Sequence, residues 1–287
     1  MRRVLFFMES LGQGGAEKII VDLCSHIDRS RFAATLLVVS EGGANWEAAL
    51  QSGVRLRCIF RRAQAEATGL RGLRYRVRYH LLRRLPPRWA HRLFLRGRYN
   101  TEIAFTEGLA TRVVSGAPKR RRKLAWVHID PLSDPHADPL FEDRAAQREA
   151  YRRFDRVLCV SGSVQTAFAQ KFGALPALGV QYNPVDAEAI RRRAAEPAPP
   201  WAADFPAAGD CGLRLLCIAR LVIAKGVDRL LRVCARLRAE QFVFTLLVLG
   251  EGSQRGELEE IIAAGGLADC VRLAGFRANP YPALAQA

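Results

Sequence analysis

Long apolar runs are missing from this chain. Its most apolar stretches, such as 157–160 and 245–249, are strand-length, far short of the roughly 20 residues that a membrane-spanning helix requires. The opening Met1-Arg-Arg and the apolar residues after it imitate a secretory leader, but Glu9 and the glycines at 12, 14 and 15 cut that region short. A soluble protein that stays in the cytoplasm is the expectation. Cysteine provides no framework either: the seven thiols, at 24, 58, 159, 211, 217, 234 and 270, include no C-x-x-C pair and mostly sit in apolar runs. Reduced core thiols are expected, since disulfides are rare in cytosolic chains. Lysine is scarce, with five residues against 39 arginines. Acid is scarce in two places: 61–99 holds twelve arginines and one acid, Glu66, while 277–287 holds no acid at all.

What is present is enough apolar residue, 49% over 287 positions, to bury a core of about two domains. Strand-like runs at 4–8, 35–39, 56–60, 103–105, 124–127, 156–160 and 178–181 alternate with helical periods, the pattern of an α/β fold with a parallel sheet. Between the first two runs, Ala16, Ile19, Ile20, Leu23 and Ile27 mark one face of a helix. Residues 196–210 contain four prolines and read as a linker between a first domain, 1–195, and a second, 211–287. The second offers strands at 213–218, 244–249 and 270–273, with helices at 227–237 and 257–264. Asn-Pro-Tyr-Pro then announces a further helix with Pro282 in its first turn. Three strands are about half of a doubly wound domain, so the second domain is expected to be incomplete.

Two loops carry the strongest chemical signal. Gly12, Gly14 and Gly15 lie between the first strand and the first helix, where glycines let the backbone approach a ligand and a helix amino terminus favours an anion. The dinucleotide pattern G-x-G-x-x-G is not met, because Glu17 stands at its last position, and this weakens a nicotinamide-dependent oxidoreductase. In the second domain Arg220, Lys225 and Gly226 follow a strand and precede a helix, where ligands of open α/β sheets dock. At strand ends of the first domain stand Glu107, His128, Ser161 and Asn183; helix capping for Ser161, turn formation for Asn183 and a structural hydrogen bond for His128 are the competing roles. Asp130, Asp134, His136 and Asp138 could be drawn as metal ligands, but their Pro-rich, irregular spacing favours a polar loop.

In LGQGGAEK, ARLVIAKGVDRLL, LGEGSQRGELEEII and VRLAGF, taken in order, the chain resembles the retaining glycosyltransferases of family four, known as glycosyl transferases group 1. The resemblance covers nearly the whole chain. It implies a GT-B-like α/β fold, two Rossmann-type doubly wound domains facing across a cleft, and transfer of a sugar from a nucleoside diphosphate without a metal cofactor. It also implies that Arg220 and Lys225 stabilise the departing diphosphate, that the Gly12–Gly15 loop closes over the donor, and that Gly250, Glu251, Gly275, Phe276 and Asn183 line the donor site. LAWVHID is similar to a segment of members that build capsular and other surface polysaccharides, which places His128 near the transferred sugar. The family's E-x7-E pair has no match after Phe276, and Glu251 and Glu259 lie one unit too early. This departure leaves a truncated, inactive binding module as the alternative to a working enzyme.

The net charge of +16 is concentrated: residues 61–99 contribute +11 and 119–123 contribute +5. Leu70, Leu73, Val77, Leu81 and Leu85 form one line of a helix with arginines mostly off it, a pattern suited to anionic lipid at the inner face of the plasma membrane. That fits a lipid-linked saccharide acceptor; the competing role is a helix packed on its own sheet. Nucleic acid ranks well below the membrane reading, because no RNA-binding motif or zinc-finger spacing accompanies the charge.

Overall fold

The computed structural model describes residues 1–12, 14–175, 178–197, 212–284 and 287; Cys211 and the bulk of the expected linker, 198–210, lie outside the described residues. The chain divides into two compact units, Met1–Val185 and Asp186–Ala287.

In the first unit seven strands, β1 (Arg2–Met8), β2 (Phe32–Ser40), β3 (Arg55–Phe60), β4 (Thr101–Ala104), β5 (Arg122–Val127), β6 (Arg156–Cys159) and β7 (Leu178–Val180), form one sheet. Their order is β3-β2-β1-β4-β5-β6-β7 and every pairing is parallel. The apolar runs had marked all seven; charged residues such as Arg2, Arg55 and Arg122 extend the ladders beyond them. Side chains alternate between the two faces. Leu5, Phe7, Leu37 and Val39 enter one core, and Val4, Phe6, Met8, Leu36 and Val38 enter the other. The second core is closed by α1 (Gly15–His26), through Ile20, Val21 and Cys24, and by α2 (Trp46–Gln51). The crossover after β3 begins with the exposed α3 (Arg62–Ala65), and the first core is covered by α4 (Gly69–Arg84), α5 (Pro87–Phe94), α6 (Leu109–Val114), α7 (Arg144–Arg152) and α8 (Gly162–Phe172). Winding reverses between β1 and β4, which makes the crevice at their carboxyl ends the topological switch point.

Helix α4 buries its leucine line only at the carboxyl end, where Leu81 and Leu85 pack against the core. Leu70, Leu73 and Val77 are 80%, 50% and 50% exposed, whereas Leu82 is buried and Tyr75 and Tyr79 pack edge-on against Phe60. The tyrosines win because each buries far more area than a valine and their rings meet Phe60 in the favoured T-shaped geometry. The run 119–123 is likewise only partly solvated. Glu102, fully buried on β4, takes His91 Nε2 at 2.7 Å on one oxygen and the guanidinium of Arg121 on the other.

The second unit begins with α9 (Ala187–Ala194), a helix inside the expected first domain that no apolar period announces. β8 (Leu213–Ile218), β9 (Phe244–Leu249) and β10 (Val271–Gly275) form a parallel sheet of order β10-β9-β8, with the central strand buried along its whole length. α10 (Val227–Ala239) and α11 (Arg255–Ala264) cover one face. On the other, α12 (Tyr281–Leu284), the helix announced by Pro282, presses Ala283 onto Leu247 and Leu249. α9 is tied to that end of the unit: Arg193 donates to the Ala278 carbonyl at 2.8 Å and lies over the Tyr281 ring, and Asn279 donates back to the Arg193 carbonyl at 3.1 Å. The six described cysteines are all free.

Candidate functional site

Around the switch point of the first unit, the loop after β1 carries the glycines. Gly14 precedes α1 in extended conformation, and no side chain caps the helix. The loop is held from β2's side: the amide group of Asn45 donates to the Gly12 carbonyl, and its backbone N–H donates to Leu11 O at 3.0 Å. Gly43 is what lets the two loops meet, because at its φ of +110° a Cβ would stand 2.3 Å from Leu11 O. Glu17 folds back over Gly14, so its carboxylate lies at the mouth of the loop. Across the crevice Glu9 Oε1 accepts from the Leu109 N–H at 3.2 Å, joining the ends of β1 and β4.

The next strand ends bring Thr106, Glu107 and His128 together. Glu107 is buried and accepts from the backbone N–H groups of His128 and, at 2.8 Å, Ile129. Burial raises its pKa, against the pull of those hydrogen bonds and of His136. The His128 ring stacks on Trp126 with centroids 6.0 Å apart and meets Phe105 at 4.9 Å. Burial pulls its pKa down to about 4 despite the Phe105 carbonyl beside it, so the ring is neutral at pH 7. Its Nε2 is buried without a hydrogen-bond partner, as are Thr106 Oγ1 and Asn183 Oδ1. Buried polar atoms are nearly always satisfied, and these three follow β4, β5 and β7 at the carboxyl edge. Ser161 takes the capping role, accepting from the Val164 N–H at 3.2 Å.

The acidic loop is engaged internally. Asp130 accepts from the N–H groups of Leu132 and Ser133, and Asp134 meets the His136 ring at 3.3 Å. Asp138 holds Lys171 at 2.6 Å and 2.7 Å, and Lys171 also donates to Pro131 O at 2.9 Å. Among the described residues no group of three or more His, Cys, Asp or Glu side chains could hold a metal ion.

In the second unit the loops after β8, β9 and β10 are knitted by backbone. Ala219 N–H donates to Leu249 O at 3.0 Å, Leu221 N–H to Glu251 O at 3.0 Å, and Gly250 N–H to Gly275 O at 2.9 Å. Gly250 is irreplaceable here: its φ is +148°, and a Cβ would stand 1.8 Å from Ala219 O. Residues Ile223–Lys225 make one turn of 3-10 helix before α10. Arg220 and Lys225 are exposed and enter no ion pair among the described residues. Two uncompensated cations thus stand at the carboxyl end of a parallel sheet. Phe276 is exposed after β10, on the far side of β9 from β8, whereas Glu251 is occupied: Arg255 bonds both Glu251 and Glu259 at 2.9 Å.

Residues 212–287 match the sequence model of a family described as glycosyl transferases group 1. That match falls entirely within the second unit. A stretch of 65 residues is 37% identical to the amylovoran biosynthesis glycosyltransferase AmsK of Erwinia amylovora, covering 23% of this chain and 16% of that protein. Over 99% of the chain and 72% of the other, the structure resembles Anabaena Alr3699/HepE in complex with UDP and glucose, at 22% identity and a TM-score of 0.65. It also resembles an S. aureus TarM variant in complex with fondaparinux, α-GlcNAc-glycerol and UDP, at 10% identity and a TM-score of 0.62 over 98% of this chain and 78% of the other. The fold is GT-B, and the matched segment contains Arg220, Lys225, Gly250, Glu251, Gly275 and Phe276.

Glu9, Asn45, Thr106 and Gln254 escaped the sequence reading. Glu9 and Thr106 follow β1 and β4 within two residues, so the strand-end rule that found His128 would have found them too. Gln254, before α11, has a buried Oε1 without a partner and offered no local signal.

Proposed function

We propose that the chain is a retaining glycosyltransferase that moves a sugar from a nucleoside diphosphate donor to a saccharide acceptor in cell-surface polysaccharide synthesis. The single observation that carries this is the pair of unpaired cations, Arg220 and Lys225, at the carboxyl end of β8 inside the matched segment. The UDP complexes of the Anabaena neighbour and the name of the Erwinia relative support the donor class and the polysaccharide role. As the bond between the anomeric carbon and the diphosphate breaks, negative charge grows on the departing phosphate. Fixed cations stabilise that charge more in the transition state than in the bound donor, and this difference accelerates the step. They supply the charge that a metal would otherwise bring. In the first unit the Gly12, Gly14 and Gly15 backbone allows close approach of a ligand, and in the second the Gly250 and Gly275 turns allow close approach of the donor diphosphate. His128, neutral at pH 7, accepts a hydrogen bond from a sugar hydroxyl through Nε2.

The test is UDP release from a panel of UDP-sugars with a saccharide acceptor, using the full chain. The Arg220→Ala, Lys225→Ala double variant is expected to lose about 100-fold or more in turnover; unchanged turnover would refute the assignment. The comparisons favour this reading over an inactive binding module.

The acceptor is proposed to be lipid-linked, with the protein peripheral on the inner membrane face. No described helix is long and apolar enough to cross a membrane. Leu70, Leu73 and Val77 on α4 and Trp89 and Leu93 on α5 are exposed among arginines, a combination that favours anionic headgroups. Sedimentation with phosphatidylglycerol vesicles is expected to carry the protein down, and competing RNA is expected not to release it. Release by RNA would favour nucleic acid instead.

A further inference from the structure

Many of the cations in 61–99 and 119–123 line two adjoining hollows on the first unit. One, of about 670 Å³, lies between α4, α6, α7 and the turn at 139–142; five arginines, at 76, 83, 84, 112 and 153, face it against Glu142 and Glu149. The other, of about 1120 Å³, is bounded by α5, the turn before β5 and the end of α7, and eight arginines and lysines face it against Glu149 and Asp155. Ser115, Glu149 and Arg153 belong to both walls, which makes the hollows one trough.

The trough has two distinguishable ends. Leu140, in the wall of the first hollow, covers Gly108 at the end of β4, where a Cβ would lie 3.0 Å from Leu140 and 3.6 Å from Glu9 Oε1. Arg83 is also near enough for its charge to act on the Glu9 carboxylate. That end therefore opens beside the switch-point crevice. The far end takes in Lys119, Arg121 and Lys123, at the amino end of the sheet.

Its charge is largely uncompensated. Arg76, Arg84, Arg88, Arg96, Lys119 and Arg152 enter no ion pair among the described residues. Arg112 donates to the carbonyls of Arg84 and Leu85 at 3.3 Å and 2.7 Å, yet its Nη1 is buried without a partner. A buried donor left unmade is costly, so an anionic acceptor atom entering the hollow is favoured. Concavity separates this feature from a flat bilayer surface. Base stacking has little to use, since Tyr75 and Tyr79 are spent on each other and on Phe60.

We propose that the trough binds an acidic glycan, a saccharide chain bearing carboxylates, and presents its growing end at the β1/β4 crevice. This names the acceptor class and rests on the glycosyltransferase reading. Guanidinium forks suit carboxylates, and hollows of about 670 and 1120 Å³ suit several sugar units rather than one ion.

The test is calorimetric titration of the full chain with hexagalacturonate, maltohexaose and UDP separately. Hexagalacturonate is expected to bind, more weakly as salt is raised, and maltohexaose is expected not to bind. The triple variant Arg76→Gln, Arg84→Gln, Arg152→Gln changes only exposed side chains; it is expected to keep its urea midpoint and UDP affinity while losing about tenfold in hexagalacturonate affinity. Absent binding, equal binding of maltohexaose, or undiminished binding by the variant would overturn the proposal. So would tighter binding of phosphatidylglycerol vesicles or a short RNA through the same three arginines. If UDP binds and hexagalacturonate does not, the trough proposal alone fails; if UDP does not bind, the transferase reading fails.

Discussion

His128 shows how one residue links burial to function. Its folded pKa, about 4, lies below its ordinary value of 6.5. The unfolded chain therefore takes up a proton at a pH where the folded chain does not, and stability is lost as pH falls from 6.5 towards 4. Urea unfolding at pH 7 and pH 4 is expected to show the wild type losing on the order of 3 kcal/mol more than His128→Gln. Equal losses would mean that the ring is not buried as described. At the other end of the sheet, Glu102 holds His91 and Arg121 from a fully buried position. Removing one partner of such a cluster leaves charge uncompensated in the interior, so Glu102→Ala is expected to cost about 3–5 kcal/mol in the same assay. Neither effect was legible in the sequence: His91 lies on α5, Glu102 on β4 and Arg121 in the turn before β5, and only the fold brings them together.

At the scale of elements, strands were legible and helix faces less so. The ten strand positions stood out because central parallel strands are buried on both sides and read as continuous apolar runs. The leucine line of α4 holds only at Leu81 and Leu85; towards the amino end Tyr75 and Tyr79 make the contacts in place of Leu70, Leu73 and Val77, and Leu82 is buried beside them. Leu73→Ala is accordingly expected to change stability by less than about 0.5 kcal/mol, whereas Leu82→Ala is expected to cost about 2–5 kcal/mol. Thermal unfolding of the two variants distinguishes the faces. α9 was missed because Ile190 is its one large apolar residue and its docking relies on Arg193 and Asn279. The glycine turns were legible as turns, but the reason for Gly250, a carbonyl 1.8 Å from a would-be Cβ, is visible only in three dimensions. Gly250→Ala is expected to lower both the unfolding midpoint and UDP affinity, because the Ala219–Arg220 backbone has to move.

At the scale of the whole molecule, charge and topology say the same thing. A doubly wound unit presents His128, Glu107 and Asn183 at the carboxyl edge of its sheet, and the second unit presents Arg220 and Lys225 at the carboxyl edge of its own. Sequence order placed these residues at strand ends; it could not show that Glu251 is taken by Arg255, or that His128 is left with an unsatisfied nitrogen. The central claim is that the two free cations of the second unit bind a nucleoside diphosphate. Its most direct test is the affinity of the full chain for UDP, measured by calorimetry beside the Arg220→Ala, Lys225→Ala variant. The account predicts binding that the double variant weakens at least about tenfold, the loss expected when charge-assisted phosphate contacts are removed. Equal affinity in the two proteins would contradict it.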